Sequence, residues 1–321
     1  MSGRLTRVQR WRGVESAPPG WGRCVVSIGM FDGVHRGHQA TIAQAVQKAR
    51  SAGVPSVVLT FDPHPSEVVR PGSHPPMLTS NRYKAELLEE LGVDVMCVQP
   101  FTVDFSRMTP DEFVHALLVE RLHASAVVVG ENFRYGHKAA GDVVALTASG
   151  RRFGFSVEGA ELQGTDDTTW SSTYVRSVVQ AGDVEAAADA LGREHRVEGV
   201  VVRGDQRGRE LGYPTANVEP LPWSAVPADG VYAGRLVRGR SRVLPAAISI
   251  GTNPTFAGRE QRVEAYVLDA EDLDLYGEHV GVAFTARLRG TERFADVGAL
   301  VRQMDDDVVR TREVLARHPL G

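Results

Sequence analysis

The apolar residues of this chain change their rhythm once, and that change limits what it can fold into. Through the first half, short apolar runs at residues 24–30, 56–61, 94–98, 125–129 and 155–162 alternate with stretches of helical spacing. After residue 37, Ile42, Ala45, Val46 and Ala49 fall on one helical face, and Gly53 supplies a stop. A further helix is expected over 81–91, with Leu87, Leu88 and Leu91 apolar. Thr109-Pro110-Asp111-Glu112 is a capping box with proline in the first turn, opening a helix to about His123. Repeated strand–helix–strand units imply an α/β layer: a Rossmann-like parallel sheet with helices on both faces. Helical spacing continues from Ser172 to about Leu191, broken at Gly182-Asp183. Over 195–289 strand follows strand, with turns expected at Gly204, Gly230, Gly251, Gly258 and Gly277. That suits an antiparallel β-barrel or sandwich. A terminal amphipathic helix carries Val297, Leu300, Met304, Val308 and Leu315 on one side.

Two patterns imply two cores, and 321 residues are enough for both at the usual ~100–200 residues per domain. The expected domains are 1–185 and 186–321. With 42% hydrophobic and 24% charged residues, each half can bury a core. The formal net charge of -4 leaves no broad basic field, which argues against nucleic acid as a partner and leaves small anions open. Cys24 and Cys97 both lie in apolar runs and read as buried thiols of a reducing, cytoplasmic compartment. Two cysteines are too few for a cysteine-rich zinc site. Arg4, Arg7, Arg10 and Arg12 crowd an N-terminus that lacks the apolar core of a signal peptide. A frayed surface extension is expected there rather than a transit peptide. No apolar stretch approaches the ~20 residues that span a bilayer, so no membrane partner is expected. Oligomeric state stays open.

Each half carries a phosphate-handling signature. In the first, Gly29-Met30-Phe31-Asp32-Gly33-Val34-His35-Arg36-Gly37-His38 follows an apolar run and opens a helix. Strand, glycine turn and helix put backbone N–H groups against phosphate. The turn is neither the dinucleotide fingerprint nor a Walker A loop. Gly37 permits close approach, and His35 and His38, three apart, can both face phosphates and stabilise charge developing on phosphorus. Alone, H-x-G-H also describes two solvent-facing turn histidines; an apolar strand with Gly29, Asp32 and Gly33 before it favours a phosphate turn. Asp62-Pro63-His64-Pro65 and a segment with Asn132 and Phe133 end the second and fourth strands, where ligands of parallel sheets bind. Ser171, Ser172, Thr173 and Arg176 open a later helix and suit pyrophosphate, though Ser-Ser-Thr is equally an ordinary N-cap.

In the second half, Gly204 and Gly208 precede Leu211-Gly212-Tyr213-Pro214-Thr215-Ala216-Asn217. Pro214 stiffens the backbone, and Thr215 and Asn217 share a face if the segment is extended. A hydroxyl and an amide oxygen suit a hard cation that keeps waters; a turn followed by an edge strand is the plainer alternative. Glu264 faces away from Val263 and Ala265, as an exposed strand glutamate also would.

Phe31-Asp32-Gly33-Val34-His35-Arg36-Gly37-His38 with Asp62-Pro63-His64-Pro65 resembles the adenylyltransferase part of bacterial bifunctional riboflavin kinase/FAD synthetases. Leu211-Gly212-Tyr213-Pro214-Thr215-Ala216-Asn217 resembles their kinase signature. The resemblance runs from about Cys24 to the final helix. It implies ATP, riboflavin, FMN and FAD as ligands, and Mg2+ held with the nucleotide by Thr215 and Asn217. It implies ATP or phosphate contacts at Gly29, Phe31, Asp32, Gly33, Gly37, Ser171, Ser172, Thr173, Arg176, Gly204, Gly208 and Pro214. Flavin contacts are expected at Asp62, His64, Asn132 and Phe133. His35, His38 and Glu264 are implied as catalytic, Glu264 as the base for riboflavin's terminal hydroxyl. Trp170 replaces a more usual aliphatic residue, and Tyr213 a commoner Phe. A flavin-binding regulator, an RNA-acting protein, or a chain with one active half are the rival readings.

Overall fold

The computed structural model describes residues 7–161, 163–165, 168–204, 212–255, 258–270 and 273–319. They divide into two compact units. One comprises Met1–Pro75 with Asn81–Trp170, the other Pro76–Ser80 with Ser171–Gly321.

The first unit is built on six parallel strands. Its elements in chain order are β1 (Gln9–Arg12), β2 (Cys24–Ile28), α1 (Arg36–Ala52), β3 (Ser56–Asp62), α2 (Pro65–Val69), α3 (Asn81–Glu90), β4 (Val95–Pro100), α4 (Val103–Ser106), α5 (Pro110–Phe113), β5 (Ala124–Gly130), α6 (Val143–Phe153) and β6 (Ser156–Ala160). Two short antiparallel strands close it, β7 (Gly164–Thr165) and β8 (Thr168–Thr169). The sheet order is β1-β4-β3-β2-β5-β6. Strand side chains alternate between two cores, as a period of two requires. Val57, Leu59, Val127 and Val129 meet Phe113, Leu117, Leu118 and Leu146. On the opposite face Val58 and Met96 pack with Ile42, Val46 and Leu88, and Val25, Ala126 and Val128 with Ala45 and Ala49. With both faces covered, β2 is buried along its whole length, which is why it reads as a continuous apolar run. The capping box forms: Thr109 Oγ1 accepts from the Glu112 N–H at 3.2 Å and the Glu112 carboxylate accepts from the Thr109 N–H at 2.7 Å. The expected helix to His123 continues as a π-helical stretch, Val114–Arg121.

The expected frayed N-terminus is overturned over Gln9–Arg12. These residues pair in parallel with β4, from Gln9 opposite Val95 to Arg12 opposite Val98. Val8 and Trp11 are buried, and Trp11 meets Trp21 edge to face at 4.6 Å. An unpaired β4 edge and two well-spaced apolar side chains outweigh Arg7, Arg10 and Arg12, which stay exposed, Arg10 reaching the Arg82 carbonyl.

The second unit begins with α7 (Ser172–Ala181) and α8 (Val184–Leu191). Gly182, left-handed at φ 81°, ends the former, and Asp183 caps the latter, as the break at Gly182-Asp183 predicts. Then come β9 (His195–Val202), β10 (Thr215–Pro220), β11 (Gly230–Arg238), β12 (Arg242–Thr255), β13 (Gly258–Val267), β14 (His279–Arg289) and α9 (Val297–Arg317). The strands close an antiparallel barrel in the order β10-β13-β12-β11-β14-β9. Val197, Val218, Tyr232, Ile248, Val263 and Phe284 belong to its core. Gly251, expected in a turn, lies inside β12 opposite Arg262; long paired strands carry a glycine that the local pattern reads as a stop. Residue 185, the expected domain edge, falls within α8, whose Val184 joins the barrel's core. Pro76–Ser80 also packs here: Met77 bridges Ser224, and Ser80 Oγ donates to the buried Glu198 carboxylate.

Candidate functional site

In the first unit, connectivity reverses at β2, which lies between β3 and β5. The crevice outside the strand ends at such a point is where open α/β sheets bind ligands. The turn leaving β2 occupies it. Phe31, Gly33 and Val34 all have left-handed backbone, at φ 47°, 81° and 40°. For Phe and β-branched Val that conformation is unfavourable by about 1–3 kcal/mol each. Burial holds it, since Phe31 and Val34 are 3% and 1% exposed within the core of Ile42, Val46, Val58 and Leu88.

His35 is the N-cap of α1, its Nδ1 accepting from the His38 N–H at 3.4 Å. The two imidazoles stack at 3.6 Å, and Phe31 sets its ring edge to face with His38 at 5.2 Å. A Cβ on Gly37 would lie 3.2 Å from the His35 ring, so glycine lets the first helical turn close against it. The paired rings thus stand at the N-terminus of α1, the positive end of its helix dipole. The Trp170 carbonyl lies 3.6 Å from the same would-be Cβ, and the Arg36 guanidinium sits over the Trp170 ring at 5.6 Å. Trp170 thus lies beside the turn at residues 29–35.

Asp32 is buried within the turn. Asp62 ends β3, exposed. His64 caps α2 through Nδ1, which accepts from the Ser66 N–H at 3.2 Å. Asn132 is exposed after β5, and Phe133 stacks on Tyr135 at 5.6 Å. Sequence reasoning missed the aromatic run that continues from there. Tyr135 meets Phe113, Phe113 meets Phe105, and Phe105 meets both Phe101 and Phe61, in steps of 5.2–6.0 Å. It also missed Lys84. This side chain is 1% exposed, its Nζ donating to the Met30 carbonyl at 2.7 Å. Its position was legible: residues 84, 87, 88 and 91 share one apolar helical face, where a lysine is out of place. Burial pulls its pKa down, against the charges of Asp32 and Asp62.

Ser171, Ser172, Thr173 and Arg176 belong to the second unit. Ser171 Oγ caps α7, accepting from the Tyr174 N–H at 3.1 Å, and Arg176 Nε donates to the Pro76 carbonyl at 2.7 Å.

On the barrel, Thr215 and Asn217 of β10 fall on its outer face, with Ala216 turned to the core. Glu264 of β13 stands opposite Asn217 and Ser249. Thr215 Oγ1 donates to Glu264 Oε2 at 3.3 Å. Two cavities meet there. One, of about 660 Å³, is lined by Pro214, Thr215, Ala216, Asp274 and Tyr276. The other, of about 240 Å³, lies under α9 and is lined by Thr215, Glu264, Tyr266, Leu300 and Met304. Thr215 belongs to both. Asn217 does not line either; its carboxamide packs on Gly204, where a Cβ would come within 2.3 Å of Oδ1. Gly208 lies outside the described residues.

α9 is held over the smaller cavity by a fork-like pair, Arg289 Nε and Nη2 to Asp307 at 2.8–3.1 Å, with Gln303 adding a bond at 3.2 Å. The Tyr213 hydroxyl donates to Asp305 of the same helix, which pushes the phenol's pKa up to about 12. Asp307 is buried. Like Lys84 it is a charge among the apolar positions of an amphipathic helix, beside Met304 and Val308, and that signal could have found it.

A family model described as FAD synthetase matches residues 18–174, and one described as riboflavin kinase matches 191–315. A protein of Escherichia coli (strain K12) named bifunctional riboflavin kinase/FMN adenylyltransferase is 37% identical over 291 residues, covering 90% of this chain and 92% of the relative. One of the same name from Listeria monocytogenes is 38% identical over 298 residues, covering 91% and 93%. Among solved structures, one titled macrolide-efflux protein from Streptococcus pneumoniae aligns with TM-score 0.85 and 30% identity, covering 95% of this chain and 98% of the other. Among the described residues no helix is long and apolar enough to cross a membrane.

Proposed function

The chain belongs to the bifunctional riboflavin kinase/FMN adenylyltransferase family, and we propose that its two units divide the two reactions between them. It phosphorylates riboflavin with ATP to FMN, and adenylylates FMN with ATP to FAD and pyrophosphate. The observation that carries the division is Thr215, shared by two cavities and bonded to Glu264. A phosphoryl transfer needs donor and acceptor to meet in line at one point, and the barrel offers one such point. ATP occupies the larger cavity and riboflavin the smaller, beneath α9. Glu264 takes the proton from riboflavin's terminal hydroxyl as that oxygen attacks the γ-phosphorus and ADP leaves. Thr215 and Asn217 would hold Mg2+, Asn217 once its carboxamide turns from Gly204 toward the larger cavity. Their hydroxyl and amide oxygens on one strand face are the hard donors of an ion that takes its other ligands from water and phosphate. Bound there, the ion neutralises phosphate charge.

In the first unit, FMN's phosphate is the nucleophile and needs no base. It attacks the α-phosphorus, and pyrophosphate departs. The α1 amides with His35 and His38 stabilise the charge that builds at phosphorus. Phe61, Phe105 and Phe133, the partly buried members of the aromatic run, supply the stacking surface a flavin ring requires. Chromatography of products from riboflavin, MgATP and purified protein tests the whole reading. FMN followed by FAD supports it; FMN without FAD removes the first unit's role.

A further inference from the structure

We propose that Lys84 is a positioning residue for adenylyl transfer: its ammonium, buried beneath the turn at residues 29–35, fixes the Met30 carbonyl and thereby the strained backbone that presents His35 and His38. The inference rests on the assignment of adenylyl transfer to the first unit.

Lys84 lies on the face of α3 that carries Leu87 and Leu88 and is 1% exposed. A lysine there loses its hydration, and a core position of that size is ordinarily better filled by Leu or Met. Its direct contacts explain its retention. Nζ donates to the Met30 carbonyl at 2.7 Å and reaches Thr60 Oγ1 at 3.4 Å, while Thr60 Oγ1 donates to the same carbonyl at 3.0 Å. Two donors from α3 and β3 therefore converge on one acceptor, the peptide group that joins Met30 to the left-handed Phe31. The lysine makes the shorter of the two bonds, 2.7 Å against 3.0 Å from the threonine. The next link is direct: Phe31 packs its ring edge to face with His38, which stacks on His35. Released from Met30, the turn loses the clamp that offsets its unfavourable φ angles, and the imidazoles lose their backing. Burial lowers the pKa of Lys84, and the charges of Asp32 within the turn and Asp62 at the end of β3 oppose that shift.

The test uses the full chain, with FMN and MgATP supplied and FAD measured, and riboflavin phosphorylation read in the same preparation. Lys84→Met keeps the stem and removes the donors. Its kcat for FAD formation should fall about 100-fold, as for a small misplacement of reacting groups, with KM for FMN within about threefold. Riboflavin phosphorylation should stay within about twofold of wild type, because the barrel carries it. Thr60→Val leaves the lysine in place and removes only the second donor. It should show the same kcat-selective loss at about 3–10-fold, and it decides the matter if Lys84→Met does not fold. A Lys84→Met enzyme with kcat within about threefold of wild type overturns the proposal. So does a loss in both variants that merely tracks the folded fraction on melting. A wild-type chain that makes no FAD would instead remove the activity assigned to the first unit.

Discussion

Replacing Glu264 with Gln separates the chemistry of the barrel from its architecture. The side chain keeps its size, and its amide oxygen can still accept from Thr215 Oγ1, now at 3.3 Å from the carboxylate. A hydrogen bond worth about 0.5–1.5 kcal/mol is therefore retained, and the melting transition should barely move. What disappears is the proton acceptor that lines the smaller cavity beside Thr215. A general base typically contributes about 100–10,000-fold, which at 1.36 kcal/mol per tenfold is about 2.7–5.4 kcal/mol of barrier. The loss should fall on kcat, with KM for riboflavin within about threefold, since Tyr266, Leu300 and Met304 still line the riboflavin cavity. Two assays on one preparation are needed. With riboflavin and MgATP, neither FMN nor FAD should accumulate; with FMN and MgATP, FAD should form at the wild-type rate. Kinase turnover within about threefold of wild type would refute the assignment of Glu264 as base. Loss of FAD formation from FMN would refute the division of labour between the units.

His38→Ala should lower FAD formation about 100–1,000-fold and spare riboflavin phosphorylation; normal conversion of supplied FMN would sink the role of the histidine pair. Asp307→Ala leaves Arg289 partly buried without its carboxylate, which should destabilise the second unit by about 3–5 kcal/mol on chemical denaturation and raise KM for riboflavin as α9 loosens. An unchanged midpoint would mean the pair does not hold the helix. Cutting the chain tests the domain edge. A 186–321 fragment loses Val184 from the barrel's core and half a turn of α8, whereas 171–321 retains both α7 and α8. The longer fragment should be more stable by at least the ~1.5–3 kcal/mol of one buried apolar side chain and should phosphorylate riboflavin; equal melting of the two fragments would contradict this.

What the amino-acid sequence determined by itself is everything that depends on neighbours within one helical turn or one strand pleat. The apolar periods specify a parallel layer followed by antiparallel strands. Thr109 and Glu112, or Gly182 and Asp183, specify helix ends, and the H-x-G-H turn is legible because β2, glycine and α1 are consecutive. The alternation that turns Glu264 away from Val263 and Ala265 is equally local. Tertiary structure decided what depends on distant segments meeting. The charge on Lys84 acquires a purpose only because Met30, 54 positions away, brings its carbonyl to it. Glu264 becomes a candidate base because closure of the barrel sets β13 beside β10 and Thr215, 49 positions earlier, between two cavities. Gln9–Arg12 becomes a strand because β4 leaves an edge to pair with, which no four-residue pattern rich in arginine announces. Asn217 shares a strand face with Thr215, as the alternation requires, yet its carboxamide packs on Gly204 and lines neither cavity. Periodicity dictates which way a side chain leaves the backbone; only the packing of remote segments dictates what it finds there.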